Sequence, residues 1–124
     1  MSVVRPRLMV IDDDAQLLRA IGRLLRAECE VVPLADADAA LARLDGGERV
    51  DGILCDVNLG RTSGGEFYRT LCDRAPALAS RTAFMTGGAA SPSGREMIAK
   101  PFEGGALRDF VRGLLARAPT QRQA

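Results

Sequence analysis

The sequence predicts a single α/β domain whose parallel sheet is covered by helices on both faces, and three observations carry that reading. Short apolar runs alternate with stretches whose apolar residues repeat at helical spacing, the pattern of strand–helix–strand units. Those runs lack the in–out alternation of a half-exposed strand, which marks strands buried on two sides. The 124 residues suit one domain, able to bury roughly two thirds of its unfolded surface.

Taken in order, "RLMVI" (7–11) is a buried strand. Leu17, Leu18, Ile21, Leu24 and Leu25 then form a helical stripe, with Asp14 as its N-cap. "EVVPL" (30–34) is a weaker strand, and Pro33 suits a sheet edge because it cannot donate to a ladder. Asp36 caps a short alanine-rich helix that turns Leu41 and Leu44 inward and stops at Gly46–Gly47. "GILCD" (52–56) is a second buried strand, followed by a helix from about Glu66 to Arg74. "TAFMT" (82–86) is a third, and "MIA" (97–99) a very short last strand. Leu107, Phe110, Val111, Leu114 and Leu115 follow the i, i+3, i+4, i+7, i+8 rule of a final helix, before the polar tail 118–124. The domain core is expected over about 6–117, with no linker to a second domain.

Composition removes several function classes. Seventeen basic against sixteen acidic residues give a net charge of +1, and the arginines are scattered along the chain, so no nucleic-acid footprint is expected. Apolar runs such as "LMVI" are too short to span a bilayer, which argues against membrane insertion. "MSVVRPR" is too short and polar for a signal peptide, so the expected address is the cytoplasm. Cys29, Cys55 and Cys72 lack metal-ligand spacing and are expected to be reduced thiols packed in the fold. The absence of histidine excludes histidine catalysis, histidine–metal sites and phosphohistidine on this chain.

Ligands of parallel α/β sheets bind beyond the carboxyl ends of the strands. Asp12, Asp13 and Asp14 follow the first strand, and Asp56, Thr86 and Lys100 close the later ones. Singly, each has an ordinary explanation: acids before a helix are caps, and a strand-terminal Asp is a turn residue. Thr86 before Gly87–Gly88 is simply a strand end, and a lone lysine is a solvated amine. Together they fall on one rim. Lys100 is the only lysine beside sixteen arginines, and an ammonium is a compact point charge that a guanidinium does not replace. Mg²⁺, or Mn²⁺ in its place, needs hard oxygen ligands, which two acids from the first loop and one from the third strand supply. A carboxylate such as Asp56 is also a competent nucleophile toward phosphorus, and a hydroxyl and a cation then stabilise the transferring group.

"LMVIDDD", "GILCDVNLGRTSGGEF", "AFMTG" and "AKPF", in that order, resemble the four signatures of a response-regulator receiver domain over roughly residues 6 to 117. The resemblance implies a flavodoxin-like three-layer sandwich with a five-stranded sheet of order 2-1-3-4-5. It implies Asp56 as phosphoacceptor, Asp12 and Asp13 as the acidic pocket with Asp13 the direct metal ligand, and the backbone carbonyl of Asn58 as a further ligand. Thr86 and Lys100 would bind the phosphoryl oxygens, Gly64 would be the turn glycine, and Lys100–Pro101 would be cis. The implied partner is a histidine kinase or histidine phosphotransfer domain.

Three departures bear on output. Gly60 stands where the family usually has proline, which is expected to loosen that loop. Met97 replaces the aromatic switch residue. Only ten residues, Gly87 to Glu96, join Thr86 to the last strand, with Pro92, two serines and three glycines among them. The fourth helix is therefore expected to be one turn or missing, as in receivers of some hybrid histidine kinases. A monomeric relay is expected, docking by the first helix near Leu17, Leu18 and Arg19. Two rivals stand beside this reading. One is a haloacid-dehalogenase-like phosphohydrolase, which wants an Asp where Asn58 sits; the other is an interaction module that is never phosphorylated.

Overall fold

The computed structural model describes residues 5–88 and 94–117. The tail 118–124 and the segment 89–93, including Pro92, lie outside them. Among the described residues, twelve elements run in the order β1 (Arg7–Ile11), α1 (Ala15–Leu24), β2 (Glu30–Leu34), α2 (Ala37–Asp45), β3 (Gly52–Asp56), β4 (Asn58–Leu59), β5 (Thr62–Ser63), α3 (Gly64–Arg74), α4 (Pro76–Ala79), β6 (Thr82–Thr86), β7 (Met97–Ala99) and α5 (Gly104–Ala116). Five strands form one parallel sheet of order β2-β1-β3-β6-β7, the flavodoxin-like order expected once the small β4–β5 hairpin is set apart.

Alternate residues of the buried strands feed two cores. Met9, Ile11, Ile53, Cys55 and Phe84 pack on one face with Ala40 of α2, Phe67 and Leu71 of α3 and Leu78 of α4. Leu8, Val10, Leu54, Ala83 and Met85 pack on the other with Ile21 of α1 and Leu107, Val111 and Leu114 of α5. Both Asp caps form: Asp14 accepts from the N–H groups of Gln16 and Leu17, and Asp36 from that of Ala39. α3 begins two residues before the expected Glu66, because Ser63 and Glu66 close a reciprocal capping box. β2 is an edge strand, as Pro33 requires.

Two expectations are revised. The loop after Asp56 is not loosened by Gly60. It is a two-residue hairpin turn between Leu59 and Thr62, and Gly60 takes φ 78°, which proline's ring forbids. Cys29 and Cys55 are buried, but Cys72 is exposed on α3. Between Thr86 and Met97 the described residues form no α-helix, and the expectation about the fourth helix otherwise falls on the segment 89–93. Arg95 fastens the returning chain: its Nε and Nη2 donate to the carbonyls of Thr82 (3.2 Å) and Ser80 (2.9 Å), and its guanidinium lies 5.9 Å from the Tyr68 ring centroid. In β7, Ile98 packs against the α1/α5 core, whereas Met97 on the other face stays 40 % exposed.

Candidate acidic phosphoacceptor site

The parallel register gathers the polar strand ends on one rim. Ile11 pairs with Cys55 across β1–β3, and Asp56 with Met85 across β3–β6. Thr86 pairs with Ala99 across β6–β7, and the Lys100 N–H donates to the Thr86 carbonyl at 2.7 Å, so the lysine follows directly on the threonine's level. Asp12, Asp13 and Asp56 each bring a carboxylate oxygen within 4.8 Å of the others, with Asp13 exposed and the other two buried. Three hard oxygen donors converging from two strand ends are a donor set that suits Mg²⁺ or Mn²⁺.

The chain's one lysine is held among these acids. Lys100 Nζ donates to Asp12 Oδ2 at 2.7 Å and lies 3.3 Å from Asp56 Oδ2. Asp12 Oδ1 accepts the Asp14 N–H at 2.8 Å, so the first-loop acids are fixed by the same turn that starts α1. Asp56 Oδ1 accepts the Asn58 N–H at 3.2 Å, and the hairpin pairing of Asn58 with Ser63 holds that segment of backbone. Thr86 is buried, and its Oγ1 accepts the Gly88 N–H at 3.0 Å. The Lys100–Pro101 peptide bond is cis.

Charge in the site is unevenly balanced. Burial raises the Asp56 carboxyl above its usual range; the Asn58 N–H and the Lys100 charge pull it down, and Asp12 pushes it up again. The shift therefore arises from burial first, not from the acid–acid repulsion that the cluster suggests on paper. For Lys100 burial opposes the charge, but the hydrogen bond and charge of Asp12, reinforced by Asp56, raise it above the ordinary lysine value. The ammonium is thereby fixed in its charged form.

Gly64 has a steric reason. A Cβ there would lie 2.8 Å from the Asp56 carbonyl oxygen, 3.0 Å from Val57 Cα and 3.1 Å from the Phe84 ring, while the Gly64 N–H donates to the Val57 carbonyl at 2.8 Å. The N-terminus of α3 is thus drawn against the backbone that carries Asp56. At Gly87 a Cβ would meet no described residue within 4 Å. Met97 is not among the groups at the carboxylates; it pairs with Phe84, two residues before the strand end.

The sequence model of the response regulator receiver domain matches residues 8–112. The chain belongs to the response-regulator receiver family. Solved receivers share its fold. A CheY-like receiver domain protein of Methanospirillum hungatei superposes with a TM-score of 0.82 at 22 % identity, over 94 % of this chain and 98 % of that one. The signal receiver domain of an HD domain-containing protein of Pseudomonas fluorescens gives 0.84 at 18 % identity, over 99 % and 96 %. A chemotaxis response regulator of Vibrio cholerae gives 0.79 at 21 %, over 90 % and 99 %. Among curated proteins none matches. Among its described residues the receiver has no helix long and apolar enough to cross a membrane.

Proposed function

We propose that this receiver accepts a phosphoryl group on Asp56 from a phosphohistidine of a partner histidine kinase or histidine phosphotransfer domain, in a Mg²⁺-dependent step. The observation that supports it best is Lys100 Nζ, poised 3.3 Å from a buried Asp56 that sits within an acid cluster. With no histidine among these 124 residues, the donor histidine lies outside them.

In this reading an Asp56 carboxylate oxygen attacks phosphorus, a P–O bond forms, the donor's P–N bond breaks, and its electron pair returns to the imidazole nitrogen. Asp12, Asp13, Asp56 and the Asn58 carbonyl would hold Mg²⁺, which when bound neutralises charge on the phosphoryl oxygens. Thr86 donates its hydroxyl to one phosphoryl oxygen. Lys100 swings from Asp12 to another, moving between two anions already in reach. Gly87 admits the donor, and Gly64 keeps the Asp56 backbone fixed while the group transfers. In this reading the receiver acts in the cytoplasm as a monomer, and Met97, 40 % exposed, is not a packed switch.

Intact-mass spectrometry after incubation with acetyl phosphate tests this. One added phosphoryl group is expected with Mg²⁺, none with a chelator, and none in Asp56→Asn. Labelling that persists in Asp56→Asn, or that ignores the chelator, defeats the proposal. Continuous turnover of phosphomonoesters would instead identify a phosphohydrolase.

A further inference from the structure

We propose that Gly60 is a positioning residue for the divalent-cation site. The turn it makes sets the hairpin register that aims the Asn58 carbonyl at the carboxylates, and a carbonyl fixed in this way favours Mg²⁺ over Ca²⁺. The inference rests on Asp12, Asp13, Asp56 and the Asn58 carbonyl being the ligands, and it assigns the turn that aims one of them.

The backbone shows the register. Asn58 pairs with Ser63 and Leu59 with Thr62, which leaves Gly60 and Arg61 as a two-residue loop. Along an antiparallel pair, residues that exchange hydrogen bonds alternate with residues whose N–H and C=O turn away from each other. The pair closing a two-residue loop is of the bonded kind, so Asn58 and Ser63 are of the open kind. The next bond agrees: the Gly64 N–H donates to the Val57 carbonyl at 2.8 Å, one position beyond the open pair. The backbone groups of Asn58 therefore leave the hairpin. An extended residue sends its N–H and C=O to the same edge of the strand, and the Asn58 N–H reaches Asp56 Oδ1 at 3.2 Å. Its carbonyl is thereby turned to the side of the acid cluster.

The neighbours of the turn hold that register. Leu59 is buried in the core with Ile53 and Phe67, and a slip by one residue would carry it to the surface and turn the Asn58 groups inward. Ser63 and Glu66 exchange two 3.1 Å bonds at the start of α3. Gly60 contributes conformation alone. A Cβ there would meet no described residue within 4 Å, so space does not demand glycine; its φ of 78° does, a value that L residues enter at a cost and proline not at all. The choice of ion follows from the rigidity. Mg²⁺ is small and accepts little departure from octahedral geometry, whereas Ca²⁺ takes more oxygens in flexible arrangements. A carbonyl fixed by the hairpin suits the first, and a carbonyl free to wander still serves the second.

Amide NMR of the whole chain, titrated with MgCl₂ and separately with CaCl₂, tests this. Gly60→Val places a β-branched residue where positive φ is an outlier. It is expected to weaken Mg²⁺ binding about tenfold, the scale on which groups that orient metal ligands act, with a smaller loss for Ca²⁺. Gly60→Asn, the exchange that positive φ tolerates best, retains most of the Mg²⁺ affinity. Without metal, the Gly64 amide exchanges with solvent faster in Gly60→Val than in Gly60→Asn, because its bond to Val57 goes with the register. Should the valine variant fail to fold, Gly60→Ala carries the same φ conflict with a smaller side chain. Wild-type Mg²⁺ affinity in Gly60→Val overturns the proposal. So does an equal loss for both ions, which marks a merely structural glycine, or an asparagine variant as weak as the valine one. Asp13→Asn separates the two readings. If it leaves Mg²⁺ binding intact, the ligand set falls and this inference with it; Mg²⁺ binding that needs Asp13 but ignores Gly60 overturns the role of the hairpin alone.

Discussion

Two buried aspartates bracket β3, Asp51 before its first residue and Asp56 at its last, 6 % and 8 % exposed. At Asp51 the carboxylate accepts the Arg7 N–H at 2.9 Å and two contacts from Arg49 Nη1, at 2.9 and 3.2 Å. Its carbonyl accepts Arg81 Nε at 2.7 Å and its N–H donates to the Arg7 carbonyl at 2.8 Å. At Asp56 one oxygen accepts a 3.2 Å backbone bond, and the other faces a lysine that is closer to Asp12. One buried acid is saturated and ties the N-terminal end of the sheet together. The other is under-bonded and raised by burial, with lone pairs left for a cation or for phosphorus. Burial alone does not single out a candidate carboxylate; burial with unfilled bonding capacity does.

The contrast is sharpest in the response to metal. Mg²⁺ at one hundred times its dissociation constant should stabilise the wild type by about 2.7 kcal/mol, read as a rise in melting temperature. Asp13→Asn should lose most of that response and Asp51→Asn should keep it. Equal responses in wild type and Asp13→Asn would place the ion elsewhere. Next in size, Asp51→Ala should lower stability by about 2 kcal/mol in urea unfolding, because the Arg7 N–H loses a charged acceptor. A neutral outcome would mean that the Asp51 bonds are replaced by water and that the two acids differ less than their contacts suggest.

Gly64→Ala should cost roughly 1–3 kcal/mol, since its Cβ meets the Asp56 carbonyl at 2.8 Å. It should also slow labelling by acetyl phosphate, because the backbone that must give way is the one carrying Asp56. Unchanged labelling would separate the glycine from the site.

The smallest expected effect has the opposite sign. Folding raises the Asp56 carboxyl, so within the window between its unfolded and folded pKa the native state binds more protons than the unfolded chain. Stability therefore falls as pH rises through that window, and the ionised site is destabilising above it. Asp56→Asn should slightly stabilise the metal-free protein at neutral pH, and the gain should vanish on acidification. A loss of stability in Asp56→Asn would show that Asp56, like Asp51, is a structural anchor.

Much of this was legible in local pattern. The buried strands, the Asp14 and Asp36 caps and the i, i+3, i+4 stripe of α5 each depend on neighbours a few residues away. The β4–β5 hairpin and the one-turn α4 were not foreseen. Two-residue strands and a four-residue helix carry too few side chains to show a period, although Pro76 at the start of α4 and Gly60 in the turn were their signals.

By itself the sequence determined that Asp12, Asp56, Thr86 and Lys100 would share a rim, because every strand of a parallel sheet ends on the same side and each of these residues closes or follows an apolar run. Tertiary structure alone decided how those charges are shared. Lys100 reaches Asp12 across 88 positions and Arg7 reaches Asp51 across 44, contacts set by sheet register and helix packing rather than by any spacing along the chain. The banking of Arg19, Arg23 and Arg26 without acids opposite them has the same origin. The helical period places them on one side, but only the packing of α1 onto the sheet turned that side to solvent and left it without an ion pair to any described carboxylate.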